Sequence, residues 1–431
     1  MSIIAVIGAG YVGIPTAANL AHLGHHVVCV DVDAERVRRL SEGDVPILEA
    51  GLPALVRSGL DVGRLRFVVG AADAARDAEF VFLCVPTPQS ANGAADLSFV
   101  ESAVRELAPV LGDAAIVVNK STMPVGSTDF VAKVLAGSGA PAGVRVASNP
   151  EFLRQGHAAE DTQHPSRIVI GSDDREVADR VAALYGASGA PVIVTDPASA
   201  ELIKYASNAF LATKISFVNS MANLCEAVNA DVSDVLLGMG HDPRIGFENL
   251  FPGPGYGGSC FPKDTAALLH TADGGGYDFA LLRSVIHTND LQRERTFHKV
   301  RAAAGGELRG VPIGVLGLTF KADTDDLRDS PALDITKRLV EAGAVVRAYD
   351  PAAGDVRAFG VEGVERVDDA YGAAHGAAAV ALLTEWGELR DLDFARVHAS
   401  MVAPHAFVDA RNLLDPTVMR THGFQYQGVG R

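Results

Sequence analysis

The sequence predicts an α/β fold with two doubly wound domains joined by a long central helix. Apolar, strand-like runs alternate with helical segments from residue 3 to 195, strands stop between about Ala198 and Thr296, and the alternation restarts at Val311. Strands that alternate with helices are typical of a parallel sheet covered on both faces. We therefore expect domains at 1–196 and 301–431, with a central helical region at 197–300.

The first domain is predicted from eight short runs rich in β-branched and aromatic residues. They are "IIAVIG", "HVVCVD", "RFVVG" (66–70), "FVFLCV" (80–85), "AIVVNKST" (115–122), "VRVASNP" (144–150), "RIVIGS" (167–172) and "PVIVT" (191–195). Between the first two, "YVGIPTAANLAHLG" has apolar residues at helical spacing and ends on Gly24, which suits a helix C-terminus.

The central region is predicted to be all helical. From Ala198 apolar residues recur three and four apart, through Leu202 and Tyr205 as far as Leu224, which indicates one long helix. A shorter helix follows, then a glycine- and proline-rich loop at 252–258 and another helix from about Asp264.

The second α/β domain begins with the strand-like run "VPIGVLGLTFK". A helix around "SPALDITKRLVEAGA", a strand in "VVRAYDP" and later strands in "AAAVALLTEW" and "AFVDARNLL" follow it. The strand–turn–helix–strand order resembles that of the first domain but lacks the glycine pattern G-x-G-x-x-G, so no second dinucleotide site is expected.

Composition excludes several classes of function. The 431-residue chain has a formal net charge of −16, which argues against binding to a nucleic-acid backbone. No apolar run approaches the roughly 20 residues that span a bilayer, and the N-terminus is interpreted as a strand rather than a signal peptide. The four cysteines form no disulfide framework, and Cys29, Cys84 and Cys225 lie in apolar patterns, so we expect a cytoplasmic protein.

"GAGYVG" predicts a dinucleotide site of Rossmann type. Gly8 permits a tight turn, Gly10 lets the backbone approach a pyrophosphate, and Gly13 allows close packing of helix on strand. The pattern lies between a strand and a helix, and Asp31 stands at the end of the next strand, which is the context of a dinucleotide-binding unit. A carboxylate at that position can bind ribose hydroxyls and repel a 2′-phosphate. NAD is therefore favoured over NADP, with FAD as the main competitor.

"YGGSCFPKD" (256–264) is a candidate catalytic loop. A nucleophilic cysteine needs thiolate character, access and room for a substrate. The preceding glycines allow close approach of a ligand to Cys260, and Lys263 and the following helix could lower the pKa of the thiol. Asp264 could cap that helix or orient a water; a buried cysteine beside a capping aspartate is the structural alternative.

Other candidates are dispersed along the chain. Lys204 and Asn208 share one face of the long helix, whereas Glu151, Thr122 and Ser121 follow strand ends, where open α/β sheets bind ligands. Taken singly, each could equally be structural. The 13 histidines show no metal-ligand spacing, so no metal site is predicted.

Together these motifs resemble the UDP-glucose 6-dehydrogenase family of nucleotide-sugar dehydrogenases over essentially the whole chain. The resemblance is carried, in order, by "GAGYVG", "CVPTP", "KSTMPVGS", "SNPEFLRQG", "ELIKYASNAFLATKISFVN", "RIG", "GYGGSCFPKD", "GLTFKADTDDLRDSP", "YDP" and "GVGR". It implies two Rossmann-like domains joined by a long helix, NAD on the first, a nucleotide sugar as substrate, and a homodimer.

The family chemistry is a four-electron oxidation of a primary alcohol to a carboxylate with two NAD and one water. By resemblance, Cys260 captures the aldehyde as a thiohemiacetal, which is oxidised to a thioester and hydrolysed. Lys204 stabilises negative charge on oxygen, Asp264 orients water or accepts a proton, and Asn208 holds substrate or oxyanion. Thr122 and Glu151 act in acid–base steps through water.

The resemblance also implies binding residues. The expected cofactor contacts are Gly8, Gly10, Tyr11, Val12, Gly13, Asp31, Arg36, Pro86, Thr87, Thr122, Gln155, Ser259, Lys263 and Arg328. The expected substrate contacts are Glu151, Phe152, Leu153, Arg154, Gln155, Lys204, Asn208, Arg244, Asn249, Leu250, Phe251, Pro252, Gly253, Gly257, Phe320 and Lys321. Arg244 is expected to reach the substrate of the neighbouring subunit.

One residue departs from the family pattern. Many relatives have Glu at the position of Gln155, so a charge near cofactor and substrate is absent here.

Other functions stay open. GDP-mannose is the main alternative substrate. UDP-N-acetylmannosamine enzymes usually show "GGHC" where this chain has "GGSC", which counts against that substrate. A two-electron β-hydroxyacid dehydrogenase would not need Cys260, and a non-catalytic sensor would bind both ligands without turnover.

Overall fold

The computed structural model describes residues 1–186 and 188–431, which divide into two compact units. Unit 1 contains Met1–Ser207 and Ala266–Tyr277; unit 2 contains Asn208–Thr265 and Asp278–Arg431. Among the described residues, no helix combines the length and the apolar character needed to cross a bilayer.

Unit 1 is built on an eight-stranded sheet with the order β3-β2-β1-β4-β5-β6-β7-β8. Its strands are β1 (Ile3–Ile7), β2 (His26–Asp31), β3 (Leu65–Val69), β4 (Phe80–Leu83), β5 (Ile116–Asn119), β6 (Arg145–Ser148), β7 (Ile168–Gly171) and β8 (Val192–Thr195). Its helices are α1 (Gly13–His22), α2 (Ala34–Ser41), α3 (Leu52–Asp61), α4 (Ala72–Ala75), α5 (Ser98–Leu107), α6 (Ser127–Gly137), α7 (Ala158–Gln163) and α8 (Arg175–Ala183).

Helices cover both faces of this sheet, which is the doubly wound arrangement predicted. Along β1, Ile4 and Val6 belong to one core cluster, with residues of α1 and α3, whereas Ala5 and Ile7 belong to another, with residues of α5 and α6. Successive side chains of a strand point to opposite faces, so a strand buried on both faces must be apolar throughout.

The sheet is parallel except where β6 meets β7, which differs from the all-parallel prediction. Ser148 and Gly171 form a single antiparallel bridge, and β8 continues parallel to β7. The only α-helix between these strands, α7, is one of six residues that packs against α1 and α3. It therefore does not supply the crossover that a parallel pair requires.

Unit 2 contains a parallel six-stranded sheet with the order β11-β10-β9-β12-β13-β14, the same order as the first six strands of unit 1. Its strands are β9 (Pro312–Leu316), β10 (Val345–Tyr349), β11 (Val364–Arg366), β12 (Ala379–Leu382), β13 (Ala406–Asp409) and β14 (Gln425–Gln427). Its helices are α10 (Val232–Gly240), α12 (Ala280–Ala303), α13 (Pro331–Glu341), α14 (Ala370–Ala374), α15 (Phe394–Ser400) and α16 (Pro416–Thr421).

Two helices continue from one unit into the other. They are α9 (Pro197–Val228), the predicted long helix at 32 residues, and α11 (Phe261–Gly274). α11 begins three residues earlier than predicted, because Pro262 occupies its first turn, where a missing N–H costs no hydrogen bond.

The glycine turn after β1 predicts opposite outcomes for two neighbouring substitutions. A Cβ at Gly13 would lie 1.7 Å from the Gly8 carbonyl oxygen, whereas a Cβ at Gly10 has no heavy atom within 4 Å. We expect Gly13→Ala to lower the free energy of unfolding by about 1–3 kcal/mol or more, as overpacking does. Gly10→Ala, the matched control, should unfold like the wild type in urea; equal stability of the two variants would contradict the packing described.

Candidate active site

The glycine turn of unit 1 has the geometry of a dinucleotide site. Gly8 adopts a φ of +103°, and its Cα is so close to the chain after β4 that a Cβ would lie 2.7 Å from the Cys84 carbonyl oxygen. The open space beside Gly10 adjoins the N-terminus of α1, where N–H groups and the helix dipole favour a phosphate. Tyr11 and Val12 complete this turn.

Asp31 lies at the end of β2 and closes the turn. Its Oδ2 accepts a hydrogen bond from the Ala9 N–H at 2.8 Å, and its Oδ1 accepts one from the Asp33 N–H at 3.0 Å. Arg36 places Nη1 3.4 Å from the same carboxylate. A carboxylate so held suits a ribose diol, so the residues present fit NAD.

A buried ion pair lies past the strand ends of the same unit. The Lys204 Nζ is 2.8 Å from the Glu151 Oε1, and both side chains are at most 5% exposed. The Thr122 hydroxyl lies 3.5 Å from the same oxygen, and the Leu153 N–H donates to Oε2 at 2.6 Å. Thr87 donates to the Thr122 carbonyl at 2.9 Å, so the predicted residues Thr87, Thr122, Glu151 and Lys204 form one connected group.

Glu151 is held as a carboxylate. Burial acts to raise its pKa, but the Lys204 ammonium, the Leu153 N–H and the Lys120 charge together lower the pKa below the ordinary value. A buried ionised carboxylate with an ammonium at hydrogen-bond distance can exchange protons with a bound water or hydroxyl.

The segment after Glu151 is fixed by two cationic contacts. The Arg167 guanidinium lies 3.8 Å from the centre of the Phe152 ring, and the Lys204 Nζ lies 5.4 Å from it. Arg154 points elsewhere, into a bidentate pair with Asp161. The predicted substrate contacts of Leu153, Arg154 and Gln155 stay predictions.

Unit 2 contains a second buried polar group. The Asp264 side chain is fully buried, its Oδ2 accepts from the Asn208 Nδ2 at 2.6 Å, and its Oδ1 lies 2.5 Å from the Lys263 Nζ. Asp264 is the fourth residue of α11, so it does not cap that helix, contrary to one of the two roles considered from sequence. Both carboxylate oxygens instead accept hydrogen bonds from side chains.

Cys260 directly precedes α11 and differs from the other cysteines. Cys29, Cys84 and Cys225 are buried as predicted, whereas Cys260 is partly exposed. Burial raises the pKa of the Cys84 thiol to about 12 and that of Cys29 well above its usual range. Cys260 combines access with the N-terminus of a 14-residue helix, a position that favours thiolate. Its Sγ lies 3.7 Å from the Ser259 hydroxyl.

The glycine-rich loop before Cys260 packs closely on the second α/β domain. A Cβ at Gly257 would lie 2.3 Å from the Asp329 carbonyl oxygen, and one at Gly258 would lie 2.8 Å from the Phe320 ring. Gly253 donates its N–H to Asn219 at 2.8 Å. Asn249 adopts a φ of 59°, Leu250 and Pro252 are buried, and Phe251 is exposed.

Three predicted basic residues of unit 2 have local partners. Arg244, whose side chain is 88% exposed, pairs with Asp242 at 2.6 Å. Arg328 pairs with Asp326 at 2.7 Å, and the Lys321 Nζ lies 5.7 Å from the centre of the Phe320 ring. Their assigned contacts to cofactor or substrate stay predictions.

Several residues near these groups were not singled out from sequence. Two of them lie beside the Glu151–Lys204 pair: Lys120, which accepts a backbone hydrogen bond from Glu151, and Arg167, which contacts Phe152. Glu201 lies on α9, and Arg411 donates to the Phe320 carbonyl at 2.8 Å. Lys120 was within reach of sequence analysis, because it directly follows β5. Arg167, Glu201 and Arg411 lie in or beside regular elements and have no local signal.

Three family models match the chain in succession. They are the NAD-binding domain of the UDP-glucose/GDP-mannose dehydrogenase family over residues 2–188, its central domain over 198–291 and its UDP-binding domain over 314–416. The chain therefore contains the domains of this family in order.

Two curated relatives are similar over nearly their whole length. The chain is 46% identical to a UDP-glucose 6-dehydrogenase of Rhizobium meliloti, with 99% of each chain covered. It is 44% identical to a UDP-glucose 6-dehydrogenase of Pseudomonas aeruginosa, with 99% of this chain and 97% of the relative covered.

Two solved structures show how the fold compares. A UDP-glucose dehydrogenase of Pyrobaculum islandicum superposes with a TM-score of 0.93 at 37% identity, covering 100% of this chain and 98% of the other. A GDP-mannose dehydrogenase of Pseudomonas aeruginosa gives a TM-score of 0.54 at 29% identity, covering 99% of both chains.

The Glu151–Lys204 pair predicts a large loss of stability when one charge is removed. We expect Glu151→Gln to lower the free energy of unfolding by about 3–5 kcal/mol, because the buried ammonium loses its carboxylate. The double variant with Lys204→Met should recover part of the loss in a double-mutant cycle measured by urea unfolding; no recovery would contradict the pairing.

The same pair predicts a pH dependence. The folded-state pKa of Glu151 is below its unfolded value, so its stabilisation is fully present above about pH 4.3 and is lost as pH falls through the folded pKa. The difference between wild type and Glu151→Gln should therefore shrink in acid unfolding series. A difference that stays constant down to pH 2 would contradict the assigned ionisation.

Proposed function

Because the chain belongs to the UDP-glucose/GDP-mannose dehydrogenase family, we propose that it oxidises UDP-glucose to UDP-glucuronate with two NAD per sugar. The observation that carries this proposal is the position of Cys260, a partly exposed thiol at the N-terminus of α11. A two-electron alcohol dehydrogenase needs no such thiol, whereas in an oxidation to the acid a thiol can capture the aldehyde covalently and keep it in the site for the second oxidation.

NAD, when bound at the glycine turn, supplies the two-electron acceptor for each oxidation. The Cys260 sulfur adds to the aldehyde carbon, and the carbonyl oxygen takes up a proton to give a thiohemiacetal. Loss of two electrons and two protons from this adduct, one from carbon and one from the hydroxyl group, gives a thioester. Water then breaks the carbon–sulfur bond, releasing the carboxylate and regenerating the thiol.

Lys204 and Asn208 are proposed to stabilise negative charge on the substrate oxygen. They are four residues apart on α9, which places both side chains on one face of the helix. Both are buried, where a charge-assisted hydrogen bond to an oxyanion is stronger than in water.

Acid–base roles are proposed for Asp264, Glu151 and Thr122. Asp264 accepts hydrogen bonds from Asn208 and Lys263, an arrangement that lets a carboxylate orient Asn208 and a water for hydrolysis. Glu151, kept ionised by Lys204, can accept a proton through a water bound beside the Thr122 hydroxyl.

UDP-glucose is preferred to GDP-mannose as the substrate on two findings. The curated relatives at 44–46% identity are UDP-glucose 6-dehydrogenases, and the UDP-glucose enzyme superposes far better than the GDP-mannose enzyme. Substrate contacts are proposed for the 151–155 and 249–253 segments and for Gly257, Phe320 and Lys321 of unit 2. Gln155 supplies hydrogen bonds there without a charge.

A homodimer is proposed from an apolar stripe on α9. Phe210, Phe217 and Leu224 recur at seven-residue spacing and are 70%, 49% and 51% exposed in the single chain. Such a stripe is typical of a helix that packs against another. None of the four cysteines, all of which lie in the described part of the chain, takes part in a disulfide, and this supports the proposal of a cytoplasmic location.

The stoichiometry of NADH formation tests the oxidation. We expect two NADH per UDP-glucose at 340 nm, and none or far less with GDP-mannose. Cys260→Ser should bind UDP-glucose normally but lower acid formation about a thousandfold, because the un-ionised serine hydroxyl is a far weaker nucleophile than a thiolate. Cys225→Ser is the matched control. One NADH per sugar, or normal acid formation by Cys260→Ser, would contradict the thioester route.

Complementation between inactive variants tests the role of Arg244 in a dimer. Arg244→Ala and Cys260→Ser should each be nearly inactive alone. If Arg244 acts on the substrate of the partner subunit, a mixed dimer contains one site with both an intact Cys260 and an intact arginine, so mixing should restore activity. Absence of restored activity in verified mixed dimers would contradict the shared site.

A further inference from the structure

Lys120 occupies a half-buried position that the proposed chemistry does not use. It directly follows β5, and its Nζ donates to the Asn149 Oδ1 at 3.1 Å. The Tyr185 hydroxyl donates to the same oxygen at 2.6 Å, and the Lys120 Nζ lies 5.6 Å from the centre of the Tyr185 ring. The Asn149 Nδ2 in turn donates to the Val169 carbonyl at 2.8 Å, which fixes the amide at both ends.

The backbone joins Lys120 to Glu151. The Glu151 N–H donates to the Lys120 carbonyl at 3.3 Å, and the Asn149 N–H donates to the Asn119 carbonyl at 2.9 Å. The turn that aims the Glu151 carboxylate at Lys204 is therefore held to the end of β5 by two backbone bonds and by the Lys120 side chain.

Four titratable groups face Lys120 from the surrounding elements. Cys84 follows β4, Glu151 follows β6, Tyr185 follows α8 and Lys204 belongs to α9. Burial raises the pKa values of Cys84 and Tyr185, so both are neutral near pH 7. The local charge is thus set by one carboxylate and two ammonium groups.

We propose that Lys120 is a positioning residue for the proposed oxidation: its ammonium fixes the Asn149–Glu151 turn and adds a second positive charge beside the Glu151–Lys204 pair. With Lys120 protonated, the three groups carry a net charge of +1, which favours a carboxylate at Glu151 and negative charge on the reacting oxygen. With Lys120 neutral, their net charge is zero. The role rests on the function proposed above.

The protonation of Lys120 changes at mildly alkaline pH. Burial is the main cause that lowers its pKa to about 8, Lys204 acts in the same direction, and Cys84 and Glu151 oppose them. We therefore expect kcat/KM to be about tenfold higher in wild type than in Lys120→Met at pH 7. The ratio should approach one above pH 9, where the wild-type lysine is neutral too.

Two further variants separate charge from packing. Lys120→Arg keeps the positive charge and should maintain kcat/KM above pH 8, where wild type declines. Tyr185→Phe removes the other donor to Asn149 without changing the charge. The ratio of its kcat/KM to that of wild type should therefore not vary between pH 7 and 9. A pH-independent ratio for Lys120→Met, or the same pH-dependent ratio for Tyr185→Phe, would overturn the proposal.

An activity-independent measurement distinguishes this proposal from the proposed function. The folded-state pKa of Lys120 is below its unfolded value of about 10.4, so stability contributed by its titration rises with pH between the two values. The urea midpoint of wild type should therefore rise relative to Lys120→Met from pH 8 to 10. If the wild type shows this rise in the urea midpoint but does not oxidise UDP-glucose, the proposed oxidation is overturned. If the wild type oxidises UDP-glucose but its urea midpoint does not rise relative to Lys120→Met, the role of Lys120 is overturned.

Discussion

The buried ion pair between Glu151 and Lys204 is the constraint on which the site in unit 1 depends. It joins the turn after β6 to the first half of α9, two segments more than 50 residues apart in sequence. Taking both charges out of water is costly unless each has good partners, and Leu153 and Thr122 help to satisfy the carboxylate. The pair therefore stabilises only one placement of the turn against the helix.

A second carboxylate on α9 reinforces that placement. Glu201 accepts hydrogen bonds from the N–H groups of Gly126 and Thr128 and from the Thr128 hydroxyl, at 2.7 to 2.8 Å. These groups form the first turn of α6, whose N-cap, Gly126, has no side chain to satisfy them. α9 thus binds two segments from neighbouring positions: Glu201 holds the loop that follows Thr122, and Lys204, three residues later, holds the Glu151 carboxylate.

The Cys260 thiol in unit 2 is positioned by close packing of the glycine loop that precedes it. Gly257 and Gly258 pack where any side chain would collide with Asp329 or Phe320, so the loop can approach the second sheet only as backbone. α11 starts at the end of this loop, leaving Cys260 at its N-terminus and Asp264 one turn inside, bonded to Asn208. The Cys260 thiol is partly exposed, while the Asp264 carboxylate is fully buried.

The sequence by itself determined the strands of the first sheet, four of the six strands of the second, the long helix and the dinucleotide turn, and it singled out Cys260 as the candidate nucleophile. Each of these has a local cause: β-branched runs buried on both faces, apolar residues at helical spacing, glycines in a turn and a single cysteine in a polar loop. The family resemblance added the proposed roles of Lys204, Asp264 and Glu151, which had no signal in the single residues.

Only the tertiary structure decided which polar residues meet. The antiparallel start of β7 and the buried state of Lys204 depend on packing that no local pattern encodes. Lys120 and Arg167 became visible as partners of Asn149 and Phe152 for the same reason. Hydrogen bonds and ion pairs between distant segments act over a few ångströms, so they depend on the folded arrangement rather than on spacing along the chain.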